Sequence, residues 1–148
     1  MPNTKLFEMP KSIPQETGTK ERQFYQRFKQ SAPPGFVLTR VESLYAGYPD
    51  LTVITPKGVI TQIELKVCTS NKVRLSPAQI SYMTKAKNAP IFILVRYIPR
   101  KMKREKSWLL FKAEKKAVQL ALYGLDSVEP DLCIEDKNYS KLFDYLQV

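Results

Sequence analysis

Two acids and a lysine, Asp50, Glu64 and Lys66, stand in a pattern that suits chemistry on a phosphate ester. Residues 59–67 are rich in β-branched side chains and are predicted to form a strand. Because alternate residues of a strand share a face, Glu64 and Lys66 are expected to lie side by side. The opposite face would carry a mostly apolar row that suits a core: Val59, Thr61, Ile63, Leu65 and Val67.

A hairpin would bring Asp50 to the same place. Residues 51–55 are predicted to form a strand, and Thr55-Pro56-Lys57-Gly58 suits a type I turn, so Asp50 is expected roughly level with Glu64. Two neighbouring carboxylates repel each other unless a cation lies between them, and Mg²⁺ is commonly held by one or two carboxylates plus water. Lys66 could orient a water molecule or neutralise charge developing on a phosphate.

An isolated acid-x-lysine segment usually belongs to a solvated strand face. The flanking residues decide whether this pattern is more than that. Pro49-Asp50 and Glu64-Leu65-Lys66 resemble the motif of the PD-(D/E)XK nuclease superfamily. The segments Gly47-Tyr48-Pro49-Asp50-Leu51 and Leu75-Ser76-Pro77-Ala78-Gln79 are similar to its VRR-NUC and Holliday-junction-resolvase branches. The resemblance covers roughly residues 20–97.

The resemblance implies an α/β fold, with a mixed central β-sheet flanked by helices and a restriction-endonuclease-like α-β-β-β-α-β core. It also implies a Mg²⁺-dependent endodeoxyribonuclease, for which Mn²⁺ would substitute, acting on branched DNA as a homodimer in DNA recombination. Asp50, Glu64, the carbonyl of Leu65 and Glu21 would bind the metal. The catalytic set would be Glu21, Asp50, Glu64, Lys66 and Gln79.

Glu21 and Gln79 are expected on two helices that flank the hairpin. Thr19 can cap a helix over residues 20–30, whose apolar stripe includes Phe24 and Phe28, and Glu21 lies on that side. Ser76-Pro77 predicts the start of a second helix ending near residue 87, with Gln79 in its first turn. The alternatives are a favourable helix N-terminal charge for Glu21 and ordinary helix surface for Gln79.

The charge of the chain indicates a polyanionic partner. The net charge is +10, and residues 126–148 carry −4, so the first 125 residues carry +14. A run at 99–106 with five basic residues is interpreted as a basic hairpin tip, the alternative being a solvated loop. The residues predicted to contact DNA are Arg40, Lys72, Arg74, Lys85, Lys87, Arg100, Lys101, Lys103, Arg104 and Lys106.

Composition excludes other chemistries. The chain has no histidine, which excludes histidine catalysis and histidine-bound metals and favours oxygen ligands for Mg²⁺ or Mn²⁺. Cys68 and Cys133 form neither a disulfide framework nor a zinc pattern, and each is expected to be a buried thiol. No apolar run suits a signal peptide or a membrane span, so we expect a cytoplasmic protein, in the host cytoplasm if virus-encoded, with no organic cofactor.

Three regions are expected along the chain: an extended, partly disordered arm over 1–17, a nuclease domain over 18–125, and an acidic segment over 126–148 packed on the domain or on a partner subunit. The arm is either a featureless tail or a segment that contacts a second subunit.

Further strands are predicted at 36–43, 91–98 and 107–111, and a helix at 113–123. The acidic segment is predicted to contain a small helix with an apolar stripe of Tyr139, Leu142, Phe143 and Leu146. Tyr45 and Tyr48, near the predicted entrance of the site, are expected to pack rather than stack on a base.

Two other functions fit the same residues. A restriction-type or flap nuclease would keep the chemistry and act on DNA without a junction. A non-catalytic DNA-binding module would keep the scaffold and bind DNA in a salt-sensitive way without cutting it.

Overall fold

The computed structural model of the protein describes residues 13–99, 107–135 and 137–147. Side chains are described from Lys20 onward. The predicted arm up to residue 12 and the basic tip with Arg100, Lys101, Lys103, Arg104 and Lys106 lie outside the described residues. None of the described helices combines the length and the hydropathy of a membrane-spanning segment.

The described elements build a six-stranded mixed sheet with helices on both faces. The strands lie across the sheet in chain order, and every neighbouring pair is antiparallel except β3 and β4, which are parallel. The first six elements follow the order α-β-β-β-α-β, so the predicted fold class is confirmed. In order, the elements are α1 (Ile13–Ser31), β1 (Val37–Arg40), β2 (Leu51–Ile54), β3 (Ile60–Cys68), α2 (Pro77–Lys85), β4 (Ile91–Tyr97), β5 (Ser107–Lys112), α3 (Ala113–Tyr123), a 3₁₀ turn (Leu125–Ser127), β6 (Leu132–Glu135) and α4 (Ser140–Leu146).

Two apolar layers hold the sheet between the helices. On one face, α1 and α4 pack their aromatic side chains against the sheet; Phe28 stacks on Phe143 with ring centroids 5.2 Å apart. On the other face, Met83 of α2 and Leu120 of α3 are fully buried. Residues of β4 alternate between the two layers, which explains why its sequence is almost continuously apolar, as predicted for a strand covered on both faces.

Several boundaries differ from the sequence-based expectation. Helix α1 begins at Ile13, seven residues before the predicted start at residue 20. The first strand is shorter than predicted because β1 lies at the edge of the sheet and pairs only with β2. Strand β6 was not predicted at all; it adds the other edge of the sheet and buries Ile134.

The cysteine prediction is confirmed for one residue and wrong for the other. Cys68 is buried, and burial raises the pKa of its thiol to about 11, which keeps the thiol protonated and unreactive at neutral pH. Cys133 is exposed because it alternates with the buried Ile134 on the edge strand β6. Both thiols are free.

The predicted alternation of β3 is largely correct. Ile63 and Leu65 are buried against α1 and α4, and Val67 packs beside them. Val59 is the exception: it precedes the strand in the turn region and is 42% exposed. The opposite, polar face of β3 does not face open solvent, because helix α2 covers it.

Truncating Phe143 tests whether the acidic C-terminal segment is part of the folding unit. The Phe143 side chain is fully buried between Phe28 and Phe36, so we expect Phe143→Ala to cost about 3–5 kcal/mol of unfolding free energy. The measurement is urea unfolding. Leu122→Ala, at a position that is 67% exposed, is the control and should cost well under half as much. Equal effects would show that α4 does not contribute to the core.

Candidate active site

The site lies at a fork in the sheet where β2 separates from β3. Their pairing starts with Leu51 opposite Ile63, and β3 continues to Cys68 without β2 beside it. Continuing the same register places Asp50 opposite Glu64, as the turn had predicted. The carboxylate oxygen Oδ2 of Asp50 accepts a hydrogen bond from the Leu65 N–H at 3.0 Å. The Asp50 carboxylate therefore accepts the hydrogen bond that a backbone carbonyl of β2 would accept if β2 continued beside β3 past the fork.

Glu64 is almost completely buried, with 2% of the residue exposed. Its oxygen Oε2 accepts a hydrogen bond from Gln79 Nε2 at 2.8 Å and lies 3.4 Å from Lys66 Nζ. Its other oxygen, Oε1, is buried with no hydrogen-bond partner among the described residues. An unpaired buried carboxylate oxygen is costly, so this atom marks a position where a cation or a proton is required.

The protonation of Glu64 reflects the same imbalance. Burial, and then the negative charge of Asp50, raises the pKa of Glu64 to about 8. The Lys66 ammonium acts in the opposite direction and does not compensate. Without a bound cation, the Asp50–Glu64 pair therefore tends to retain a proton near neutral pH.

The first turn of α2 fixes Gln79 in the site. Ser76 Oγ accepts a hydrogen bond from the Gln79 N–H at 3.1 Å, and Gln79 Oε1 accepts one from the Ser76 N–H at 2.9 Å, which is a capping box. Because this box holds the amide oxygen, Nε2 is directed at Glu64. Lys66 Nζ also lies 3.5 Å from Gln79 Oε1. The prediction had placed Gln79 near the site but had not recognised Ser76 and Gln79 as a capping box.

Gly47 sets the distance between the loop before Asp50 and helix α2. Its φ is +87°, and a Cβ at this position would lie 2.3 Å from the carbonyl oxygen of Ala78. Only glycine therefore lets the loop approach the first turn of α2 this closely. From sequence, Gly47 is named only as part of the segment 47–51, and nothing local indicates this contact.

Glu21 lies within electrostatic range of the same groups. Burial, and then the charge of Asp50, raises the pKa of Glu21, while Lys66 and Arg40 lower it. Across residues 13–99, 107–135 and 137–147, however, no three Asp, Glu, Cys or His side chains form a group that could hold a metal. The structure thus brings Asp50, Glu64, Lys66 and Gln79 into contact and leaves Glu21 beside them, and the metal-binding role of Glu21 remains a prediction.

The described cations that were predicted to contact DNA are spread more widely than the residues of the site. Arg40 stacks over the Tyr25 ring at 5.4 Å, on the side of Glu21. Lys72 and Arg74 are exposed in the loop between β3 and α2. Lys85 and Lys87 are exposed at the far end of α2, about 9 Å or more along its axis from Gln79, so the structure does not bring them to the site.

The two tyrosines of the loop before Asp50 differ from each other. Tyr48 packs against Tyr82 with ring centroids 5.3 Å apart, in agreement with the expected packing. Tyr45 is 80% exposed, so the expectation that it packs is wrong. The preceding Leu44 is exposed as well.

Comparison with known proteins gives similar solved structures, among them a resolvase and a VRR_NUC domain. No protein-family model and no curated protein matches the chain. The Holliday junction resolvase Hjc of Archaeoglobus fulgidus is 22% identical with a TM-score of 0.41, over 82% of this chain and 92% of the resolvase. A VRR_NUC domain is 21% identical with a TM-score of 0.38, over 72% of this chain and 95% of that domain. The two names are those of the branches that the motifs resemble, and the chain resembles the PD-(D/E)XK superfamily in its motif residues and element order. At these scores, function is inferred from the residues of the chain itself.

The raised pKa of Glu64 predicts how stability depends on pH in the absence of divalent ions. A raised pKa in the folded state contributes stability that is present below the ordinary value of 4.5 and is lost as the pH rises toward about 8. In EDTA, the melting temperature should therefore fall between about pH 5 and about pH 8.5, and Glu64→Gln should reduce that fall. Glu135→Gln, at an exposed position of β6, is the control and should leave it unchanged. An unaltered pH dependence in Glu64→Gln would contradict the assignment.

Two glycine substitutions separate the contact of Gly47 from its backbone conformation. Gly47 and Gly58 have similar positive φ angles, +87° and +83°, but a Cβ at Gly58 would meet nothing within 4 Å. Gly58→Ala should cost about 1 kcal/mol of unfolding free energy. Gly47→Ala should cost clearly more, because the loop must also move away from α2. Urea unfolding of both variants makes the comparison, and equal costs would refute the close contact.

Proposed function

We propose that this protein is a divalent-metal-dependent endodeoxyribonuclease that hydrolyses phosphodiester bonds in branched DNA, in the manner of a Holliday junction resolvase. The observation that carries the proposal is the buried Glu64 carboxylate, which lies opposite Asp50, has the Lys66 ammonium at 3.4 Å, and has one oxygen without a partner among the described residues. The ion pair with Lys66 leaves this oxygen unsatisfied. A divalent cation between Asp50 and Glu64 would satisfy it, as would a proton shared by the two carboxylates when no cation is bound.

The donors available at the site fit Mg²⁺ or Mn²⁺. They are oxygen atoms, and the chain contains no histidine. Asp50, Glu64 and the carbonyl of Leu65 would bind the ion, with Glu21 assisting. A bound divalent ion lowers the pKa of a coordinated water and stabilises charge on the leaving oxygen.

The protein's own groups supply orientation and positive charge. The Lys66 side chain is 15% exposed, and its Nζ lies within contact distance of both Glu64 and Gln79, so the lysine is held in place and still partly accessible. From there it can donate to the attacking water or to a phosphate oxygen. Gln79 holds the Glu64 carboxylate, and the Leu65 N–H holds that of Asp50. These contacts fix both acids before substrate arrives.

The distribution of charge supports DNA as the substrate. The first 125 residues carry +14, Arg40 lies on the side of Glu21, and Lys72 and Arg74 are exposed in the loop after β3. Recognition would depend on DNA shape and phosphate contacts rather than on base edges. Symmetric cutting of two strands requires two sites related by a two-fold axis, so the active form is proposed to be a homodimer.

Substitution at the site tests the proposal. With Mg²⁺ or Mn²⁺, the wild-type protein should cut a four-way junction in preference to flap, nicked and linear duplex substrates. Asp50→Asn and Lys66→Ala should each reduce the rate by about a hundredfold or more, because Asp50 would bind the metal ion and Lys66 would donate to the attacking water or the reacting phosphate. Single-turnover cleavage of labelled DNA measures this, and circular dichroism confirms folding.

Lys141→Ala is the matched control, since Lys141 is an exposed lysine on α4. It should cut at close to the wild-type rate. Wild-type rates in both site variants would refute the site. Preferred cutting of flap or linear DNA would retain the site and refute junction specificity, and metal-independent binding without cutting would identify a DNA-binding module.

A further inference from the structure

A cationic pocket of about 300 Å³ lies between α1 and the ends of β3 and β4, and it contains none of the cations predicted from sequence to contact DNA. Helix α1 contributes Lys20, Gln23 and Arg27 to its lining, and the carboxyl ends of the parallel strands β3 and β4 contribute Thr69 and Arg96. Three of these five side chains are cationic, and the other two can donate hydrogen bonds.

The fold explains why these residues converge. Residues 20, 23 and 27 have the i, i+3, i+7 spacing that places them on one face of α1. On β4, Phe92 and Leu94 face the α1 layer, so Arg96 occupies the next position in the same row. Arg96 is 5% exposed, in a position where an apolar side chain would continue the core.

The chemistry of the lining favours an oxyanion. Lys20, Arg27 and Arg96 line one confined space, and an oxyanion there could accept hydrogen bonds from all three cations. Arg27 and Arg96 each also have an interaction within the protein. A guanidinium carries five N–H donors in a planar fork, so it can keep a protein contact and still donate to a phosphate.

The link between the pocket and the proposed catalytic residues is the start of α1. Lys20 adjoins Glu21, and the charge of Glu21 interacts with Asp50 and Lys66. On β3, Val67 lines the pocket and faces the α1 layer, whereas Lys66 faces α2, so the pocket and the Glu64–Lys66 pair lie on opposite faces of the sheet. A DNA strand that passes the fork on the α1 side could present a second phosphate to the pocket.

We propose that this pocket is a phosphate-binding subsite for the substrate strand, which it holds at a second phosphate group a few nucleotides from the bond that is cut. The proposal rests on the proposed nuclease function and names an additional contact. The phosphate is either an internal phosphodiester or a terminal phosphate, since both present the same oxygens to the lining.

The test compares two double variants with the same net charge. Lys20→Gln/Arg27→Gln removes two exposed cations of the pocket and leaves the buried Arg96 in place, so the fold should be retained. Lys29→Gln/Lys141→Gln removes two exposed cations outside the pocket.

The affinity for a four-way junction is measured in EDTA over a series of salt concentrations. The pocket variant should bind about tenfold more weakly and lose about 0.9 from the slope of log K against log salt, as for one lost phosphate contact. The control variant should keep the wild-type slope.

The source of the phosphate is identified with chemically altered DNA. Replacing single phosphates near the cut by neutral methylphosphonates should reveal one position at which wild-type and pocket variant bind equally, if the contact is internal. If the wild-type protein binds more tightly than the pocket variant only when the DNA has a 5′-phosphorylated end, and not when it has a 5′-hydroxyl end, the contact is to a terminal phosphate. Either result supports the subsite.

The failures of the two proposals are distinguishable. If the wild-type protein binds and cuts DNA but the two double variants have the same salt slope, the subsite is refuted and the nuclease function stands. If the wild-type protein binds no DNA, both are refuted.

Discussion

The structure depends on burying a carboxylate that the protein satisfies only in part. Glu64 lies on a central strand, between a core layer on one side and helix α2 on the other, where water is excluded. Gln79 and Lys66 satisfy one oxygen, while the other has no partner in the described chain. Burying this charge destabilises the folded state, and buried titratable groups with perturbed pKa values cluster at functional sites. The two apolar layers supply the stability that this requires.

Strand β3 both packs in the core and carries the site, because its side chains alternate between the two faces of the sheet. Ile63 and Leu65 anchor β3 in the layer formed with α1 and α4, and the residues between and after them, Glu64 and Lys66, form the site. A slip of one residue in the pairing of β2 with β3 would exchange the two faces, so the register is strongly determined. The turn sets that register: the Gly58 N–H donates to the Thr55 carbonyl at 2.8 Å. The geometry of the site is therefore a consequence of a four-residue turn and a hydrophobic row.

The parts that could be predicted from sequence are those encoded by neighbouring residues. The turn, the alternation of β3 and the capping serine of α2 each act within a few residues, and the structure has these features where they were expected. Strand β6 was missed because its four residues pair with β5 across more than twenty positions of chain, and nothing local marks them. The close approach of Gly47 to Ala78 escaped prediction for the same reason. Arg96 lies inside an otherwise apolar run, and only the packing of α1 on β4 shows that its side chain reaches a pocket.

The sheet order also separates the two signs of charge. Strand β6, with Asp131 before it and Glu135 at its end, lies at the opposite edge of the sheet from β1, three strands away from β3. At about 4.8 Å per strand this is roughly 14 Å. Asp131 there is already paired with Lys116 at 3.1 Å and accepts a hydrogen bond from the Lys112 N–H, so its charge is engaged within the fold. The acids of this edge therefore add little repulsion at the fork between β2 and β3. A polyanion that approaches this fork meets Arg40 on the edge strand β1, whereas an approach over β6 meets the acidic segment, and the fold itself favours one direction of binding.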